Sequence, residues 1–330
     1  MRNLILLPAL FLLVLPAMAE KPAPPAPKGT RATVVRDTVI FVAPDTGSQK
    51  VGKMTPGREM VIVEKNGDWL RVFANTDVEE AHEADVPLFG QEAAPPPVSG
   101  WIPNKGTVSG ETPNGDVILF GQAATEERTA MEPHAPARSA LDARLLYRRV
   151  NDIYPQSSLA AEAAWRAADI RWQLQKADVM SRPSAHEKEN YLREQMDDDE
   201  IKKIGKKYPN TKWADMGAFL LIDNKLCGDW QGSTKCPEKE SSLYEKYVEE
   251  HPESPKAAEA LYSAIYRQCV LVDMYLAEED KKHSDEARAK AHELTGKLLS
   301  HWAQTDYAAR ASALVYKIDQ GIPIYGIDRE

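Results

Sequence analysis

The sequence predicts a multidomain protein of the β plus all-α class: a small β-barrel followed by an array of α-helical hairpins. Two observations predict it. Short β-type runs, with Asn66-Gly67 between two of them, fill roughly 80 residues of the first half. A corner motif then recurs four times through the second half. Repeats of a helical unit imply stacked hairpins, and such arrays generally bind other molecules.

Residues 1–19 read as a secretory signal peptide. Arg2 supplies the positive start, Leu4–Leu15 the apolar stretch, and Ala17-Met18-Ala19 a small-residue cleavage site ending at Ala19. The apolar run is short for a bilayer span and is interrupted by Pro8 and Pro16. No cysteine stands at the cleavage point, so a lipid anchor is not indicated. The expectation is an exported chain, periplasmic or secreted, with no membrane span. Residues 20–29 form a Pro/Ala-rich leader of extended character.

Residues 30–109 carry the β signals. Ala32–Arg36, Val39–Val42 and Val51–Met54 are short runs broken by Pro, Asp and Gly. Glu59–Lys65 and Asp68–Ala74 flank Asn66-Gly67, two residues that accept positive φ in a hairpin turn. Gly100–Pro103 and Thr107-Val108 complete a set suited to a small barrel. An insert at 75–99 holds Asp77, Glu79, Glu80, Glu83, Asp85 and Glu92 with no Lys or Arg, then three prolines. It reads as a solvated loop, or as a binding loop for a basic partner. Phe41, Trp69, Phe73 and Trp101 are candidates to line a peptide or glycan groove, although large aromatics also make up small cores.

These features resemble a bacterial SH3-like domain. The resemblance rests on Ala32–Arg36, the loop Ala43–Ser48, Val51-Gly52-Lys53-Met54, Gly67-Asp68-Trp69 and Gly100-Trp101. It implies an SH3-like β-barrel that binds cell-wall or peptide ligands. Two departures affect any ligand site carried over from the family. Val39-Ile40-Phe41-Val42 replaces the family's Asn-Val-Arg run, and the 75–99 insert splits the last strands.

Residues 110–137 read as one extra strand, at Val117–Phe120 after Asn114-Gly115, and then a linker. The helical domain follows at 138–320, with a short tail at 321–330.

The corners are Tyr154–Ala160, Tyr208–Ala214, His251–Ala257 and, more weakly, Trp302–Ala308. Pro155, Pro209 and Pro252 end the preceding helix, because a residue before proline is driven out of the α region. Ser157, Thr211, Ser254 and Thr305 stand where an N-cap oxygen is needed, and Pro255 suits a first helical position. Small residues follow in register: Ala160, Ala214, Ala257 and Ala308, then Ala163, Gly217, Ala260 and Ala311. Such a stripe lets the helices of a hairpin approach closely. Trp165, Phe219 and Tyr262 form a further column expected to wedge between neighbouring hairpins; Ala313 replaces them in the last unit. The corners are unevenly spaced, so helix or loop lengths must differ. The pattern resembles tetratricopeptide-like repeats, in the variant found in bacterial envelope proteins of the Tol–Pal coordinator and outer-membrane assembly type. The family's regular period of about 34 residues is not kept.

Three cysteines fall at one end of the array. Spacing favours Cys227–Cys236, clipping the loop between them and leaving Cys269 a buried thiol; Cys236–Cys269 is a close alternative. Trp230 lies in the clipped loop and is a candidate exposed contact residue.

The formal net charge of −9 argues against a nucleic-acid partner. His186-Glu187 and His292-Glu293 lack the second histidine of a zinc helix: Asn190 and Gly296 stand there. Asp197-Asp198-Asp199-Glu200 reads as a solvated helix face. No catalytic residue, cofactor site or metal site is assigned. The expectation is an exported, non-catalytic binding or scaffold protein of the cell envelope, with protein partners and a peptidoglycan or peptide ligand. The alternatives are an accessory regulator of a cell-wall hydrolase and an enzyme with an unrecognised site.

Overall fold

The computed structural model describes residues 28–78 and 94–324. The signal peptide, most of the leader, residues 79–93 of the acidic insert and residues 325–330 lie outside the described residues.

Seven strands form one antiparallel sheet: β1 (Thr30–Val34), β2 (Thr38–Phe41), β3 (Lys50–Met54), β4 (Glu59–Asn66), β5 (Trp69–Ala74), β6 (Val98–Pro103) and β7 (Thr107–Ser109). Their order is β3-β2-β6-β5-β4-β1-β7. Strand alternation directs Leu70, Val72 and Ala74 of β5 to one face, where they pack with Ala32, Val34, Ile40, Met54, Met60 and Ile102. The β4–β5 turn falls one residue later than expected, since Asn66 pairs with Trp69 and leaves Gly67-Asp68 as the loop.

The expected barrel is not closed. β3 and β7 are the two edges of the sheet and do not pair with each other. β7 is only three residues long, and its Val108 packs with Leu119, Leu146 and Val150 of the helical part. That strand is therefore committed to the helices.

The expected strand at 117–120 is also corrected. Residues 115–130 form a helix, α1 (Gly115–Ala130), packed along α2 (Ser139–Ile153). Its buried residues Gly115, Leu119 and Ala123 recur every fourth position, the repeat of a helix face. A short apolar run does not distinguish the two states, and its neighbour α2 decides. Asn114 adopts φ 53, so Asn114-Gly115 opens a helix here and not a hairpin. The helical part thus begins at Gly115, well before residue 138.

Four helix pairs follow, each joined by a predicted corner. They are α2 with α3 (Ala160–Met180), α4 (Asp199–Lys207) with α5 (Lys212–Leu220), α6 (Lys235–Glu250) with α7 (Ala257–Ala277), and α8 (Lys281–Trp302) with α9 (Asp306–Asp319). The residues before the three prolines share one conformation: Tyr154 (φ −125, ψ 59), Tyr208 (φ −127, ψ 54) and His251 (φ −133, ψ 57). In the fourth corner Ala303 replaces proline and stays right-handed helical, at φ −52 and ψ −28.

The caps divide into two types. Thr211 and Thr305 accept from the backbone N–H of Ala214 and Ala308, as N-caps do. Ser157 and Ser254 accept instead from Leu159 and Lys256, two residues on, so α3 and α7 start later. Pro255 consequently lies in the turn, ahead of α7. The small-residue columns are buried apart from the half-buried Ala214, with Ala163, Ala260 and Ala311 fully enclosed. The unequal spacing has both expected sources: α5 has 9 residues against 21 in α7, and a long loop with two 3-10 turns separates α3 from α4.

The sheet meets the helices at a charged junction. Arg149 of α2 reaches Glu59 at 2.8 Å and Asp77 at 3.2 Å, and Arg58 lies 3.5 Å from Asp77. Arg58, Asp77 and Arg149 are almost wholly buried. Asp77 therefore belongs to the junction and not to a solvated loop. Gly57 (φ +79) lies against the α2 backbone; a Cβ there would stand 2.5 Å from that of Leu145. Only glycine fits both the conformation and the space.

Candidate binding groove

The second helices of the hairpins line one groove of about 520 Å³. α3 contributes Lys176 and Met180; α5 contributes Phe219 and Leu220. α7 adds Glu259 and Tyr262, with Lys256 just ahead of it, and α9 adds Tyr307 and Arg310. Tyr244 of α6 closes part of the wall.

Two members of the aromatic column, Phe219 and Tyr262, line this surface, and the column repeats one contact from hairpin to hairpin. Trp165 stacks on Trp213 of the next hairpin at 5.2 Å between ring centres. Phe219 lies 5.4 Å from the Lys256 ammonium, and Tyr262 lies 5.7 Å from Tyr307. Each column member thus meets the residue two past the cap of the following hairpin: Trp213 after Thr211, Lys256 after Ser254, Tyr307 after Thr305. The wedge between hairpins is present as expected. Phe219 also packs edge-on to Tyr247 of α6, at 5.4 Å.

Cations lie over the rings. The Lys212 ammonium is 4.3 Å from the Trp213 ring centre, and the Arg310 guanidinium is 4.3 Å from that of Tyr262. Both carboxylates of the groove are held by lysines: Asp223 by Lys176 at 3.0 Å and Glu259 by Lys256 at 2.6 Å. Burial, reinforced by Glu259, pushes the Tyr307 phenol up to about 12, so it stays protonated as a donor. Arg193 lines the groove as well and donates to the Leu226 carbonyl at 2.7 Å.

Sequence reasoning identified the aromatic column but not its partners Lys256 and Tyr307, nor Arg310. A signal was present, since the position two past each cap is itself a column.

The predicted aromatic residues of the sheet are largely brought together. Phe41 pairs across strands with Trp101, which also pairs with Arg71. Opposed residues of paired strands share a face. Trp69 meets Phe41 edge-on at 5.8 Å. Phe73 lies further along β5, opposite Ser99, and is 40% exposed. Phe41 itself is buried, so Trp69, Trp101 and Phe73 provide the accessible aromatic surface. Gly100 lets β2 approach: a Cβ there would stand 2.6 Å from the Phe41 carbonyl oxygen.

The Cys227–Cys236 disulfide is present, and Cys269 is a buried free thiol. Burial, with Asp273 nearby, pushes that thiol up to about 12. Disulfides persist in oxidising compartments, so the bond points away from the cytoplasm. Trp230 is not the exposed contact residue expected. It is 4% exposed, its indole donates to Glu240 Oε1 at 3.3 Å, and Arg267 lies over its ring. The tied loop folds inward because the buried Glu240 also accepts from the Cys227 N–H, at 2.9 Å.

Acidic residues 197–200 are not simply a solvated face. Arg171 holds Asp197 at 2.7 Å, buried Arg144 holds Glu200 at 2.8 Å, and Lys202 holds Asp198 at 2.7 Å. His186 and His292 are bonded to Asp229 and Asp319. Among the described residues, no helix is long and apolar enough to cross a membrane. No protein-family model and no curated protein sequence matches the chain.

Proposed function

We propose that this chain is an exported, non-catalytic binding or scaffold protein of the cell envelope. Its helical hairpins hold a protein partner along the groove, and its β module takes a cell-wall or peptide ligand on the Trp69, Trp101 and Phe73 face. One observation carries the reading. A single groove draws side chains from the second helices of all four hairpins, which is how repeat arrays make an extended binding surface. The tetratricopeptide-like reading is supported by the recurring corners and small-residue columns. The SH3-like reading is supported by the β4–β5 hairpin and the Gly100-Trp101 strand, on a sheet that remains open. The disulfide supports export.

A photo-crosslinking residue at Tyr307 in the full chain, exposed to envelope extract, tests this. Tyr316, 62% exposed on the same helix, serves as the control position. A discrete adduct at 307 that is absent at 316 is expected. Identical adducts at both positions, or none at 307, would sink the groove as the partner surface.

A further inference from the structure

The groove has a charge that the whole chain does not. Its lining holds Lys176, Arg193, Lys256 and Arg310 against Asp223 and Glu259, in a protein of net charge −9. Each carboxylate is already neutralised by a lysine, which leaves the two guanidiniums in excess. Arg193 is 7% exposed, donates to backbone carbonyls through one terminal nitrogen, and has a buried Nε with no hydrogen-bond partner among the described residues. Arg310 is exposed, with its guanidinium over the Tyr262 ring at 4.3 Å from the ring centre; among the described residues no carboxylate lies within ion-pair distance of it. A guanidinium held over a ring keeps its edge N–H groups free for a planar acceptor. Carboxylates match that fork geometry. The rings of Phe219, Tyr262 and Tyr307 line the same groove.

We propose that the groove takes an extended acidic peptide segment of its protein partner. Apolar side chains of the segment lie on the partly exposed Phe219 and Tyr307 rings, and a carboxylate pairs with Arg310. This inference rests on the groove being the partner-binding surface. The acidic surface of the protein elsewhere repels such a segment, so the groove is the favoured place for it.

A phage-displayed random heptapeptide library, panned on the full chain, tests the chemistry. The expected result is enrichment of Asp and Glu beside apolar residues. Synthetic copies of the selected peptides should then bind the Arg310→Glu chain at least tenfold more weakly, with Arg310→Gln intermediate. Arg310 is exposed, so both variants should keep the wild-type circular dichroism spectrum. Selected peptides without an acidic excess, or peptides that bind Arg310→Glu unchanged, would overturn the carboxylate assignment while the crosslink at 307 still stands. An absence of enrichment above the support alone would overturn this inference and the groove reading together.

Discussion

Glu240 is fully buried and serves three partners. It pairs with Arg267 at 2.8 Å and accepts from the Cys227 N–H and the Trp230 indole; Arg267 in turn covers the Tyr244 ring at 4.7 Å. Replacing it with alanine leaves a buried guanidinium and two donors unsatisfied. Glu240→Ala should therefore cost about 3–5 kcal/mol, read as a lower urea midpoint at unchanged slope. The double change Glu240→Met with Arg267→Met should cost less than the two single changes together, because no buried charge is then left unpaired. Equal additivity would contradict this account. Trp230 shows why such a residue was misjudged from sequence. Its loop has the Gly and Asp of an exposed turn, and its burial depends on a glutamate ten residues on that reads as an ordinary helix-surface charge.

At the scale of elements, the corners were the most legible part of the chain. Their chemistry is local: a proline excludes the α region for one residue, and a hydroxyl satisfies one N–H. Thr305 carries more of this work than Thr211, because its corner lacks the proline. Thr305→Ala should cost about 1 kcal/mol, with a loss of protection from hydrogen exchange confined to the start of α9. Uniform loss across α7 to α9 would refute a capping role. Strand or helix at Val117–Phe120 was not legible, because four apolar residues satisfy either period and the decision rests with α2. The groove was legible only in half. Phe219 and Tyr262 belong to a recurring column, whereas the Lys256 and Tyr307 that complete the groove differ in chemistry from unit to unit.

At the scale of the molecule, the sheet and the helical array are joined by ionisable groups of opposite pH response. Burial opposes ionisation of Glu59, but the Arg31 and Arg149 guanidiniums outweigh it and hold the carboxyl below its ordinary value. Its contribution is present above that ordinary value and is lost as pH falls through the folded value. Asp142, near the start of α2, behaves in the other direction. Burial outweighs Arg138, with Glu126 and Asp37 adding to the effect, and raises it to about 7. Its unfolded form ionises near ~3.9. Between that point and about 7 the folded state holds the extra proton, so stability falls as pH rises through this window and levels off above it. Asp142→Asn should remove that fall. Urea midpoints at pH 5 and pH 7.5 should differ less in the variant than in the parent, and an unchanged difference would exclude Asp142 as the source.

The position of β1 has a consequence for how the chain is made. It is the earliest of the seven strands in the described sequence, yet it lies between β4 and β7, with Ala32 paired to Met60 on one side and Ser109 on the other. Its second neighbour is the last strand of the sheet, and Val108 of that strand is seated only when α1 and α2 have formed. Pairings between distant parts of a chain form slowly. The hairpins, built from neighbouring segments, can assemble early. The β segment precedes the helices but must finish late, and until β7 is seated the β1 edge it covers stays open, the interval in which a nascent chain is most open to wrong partners.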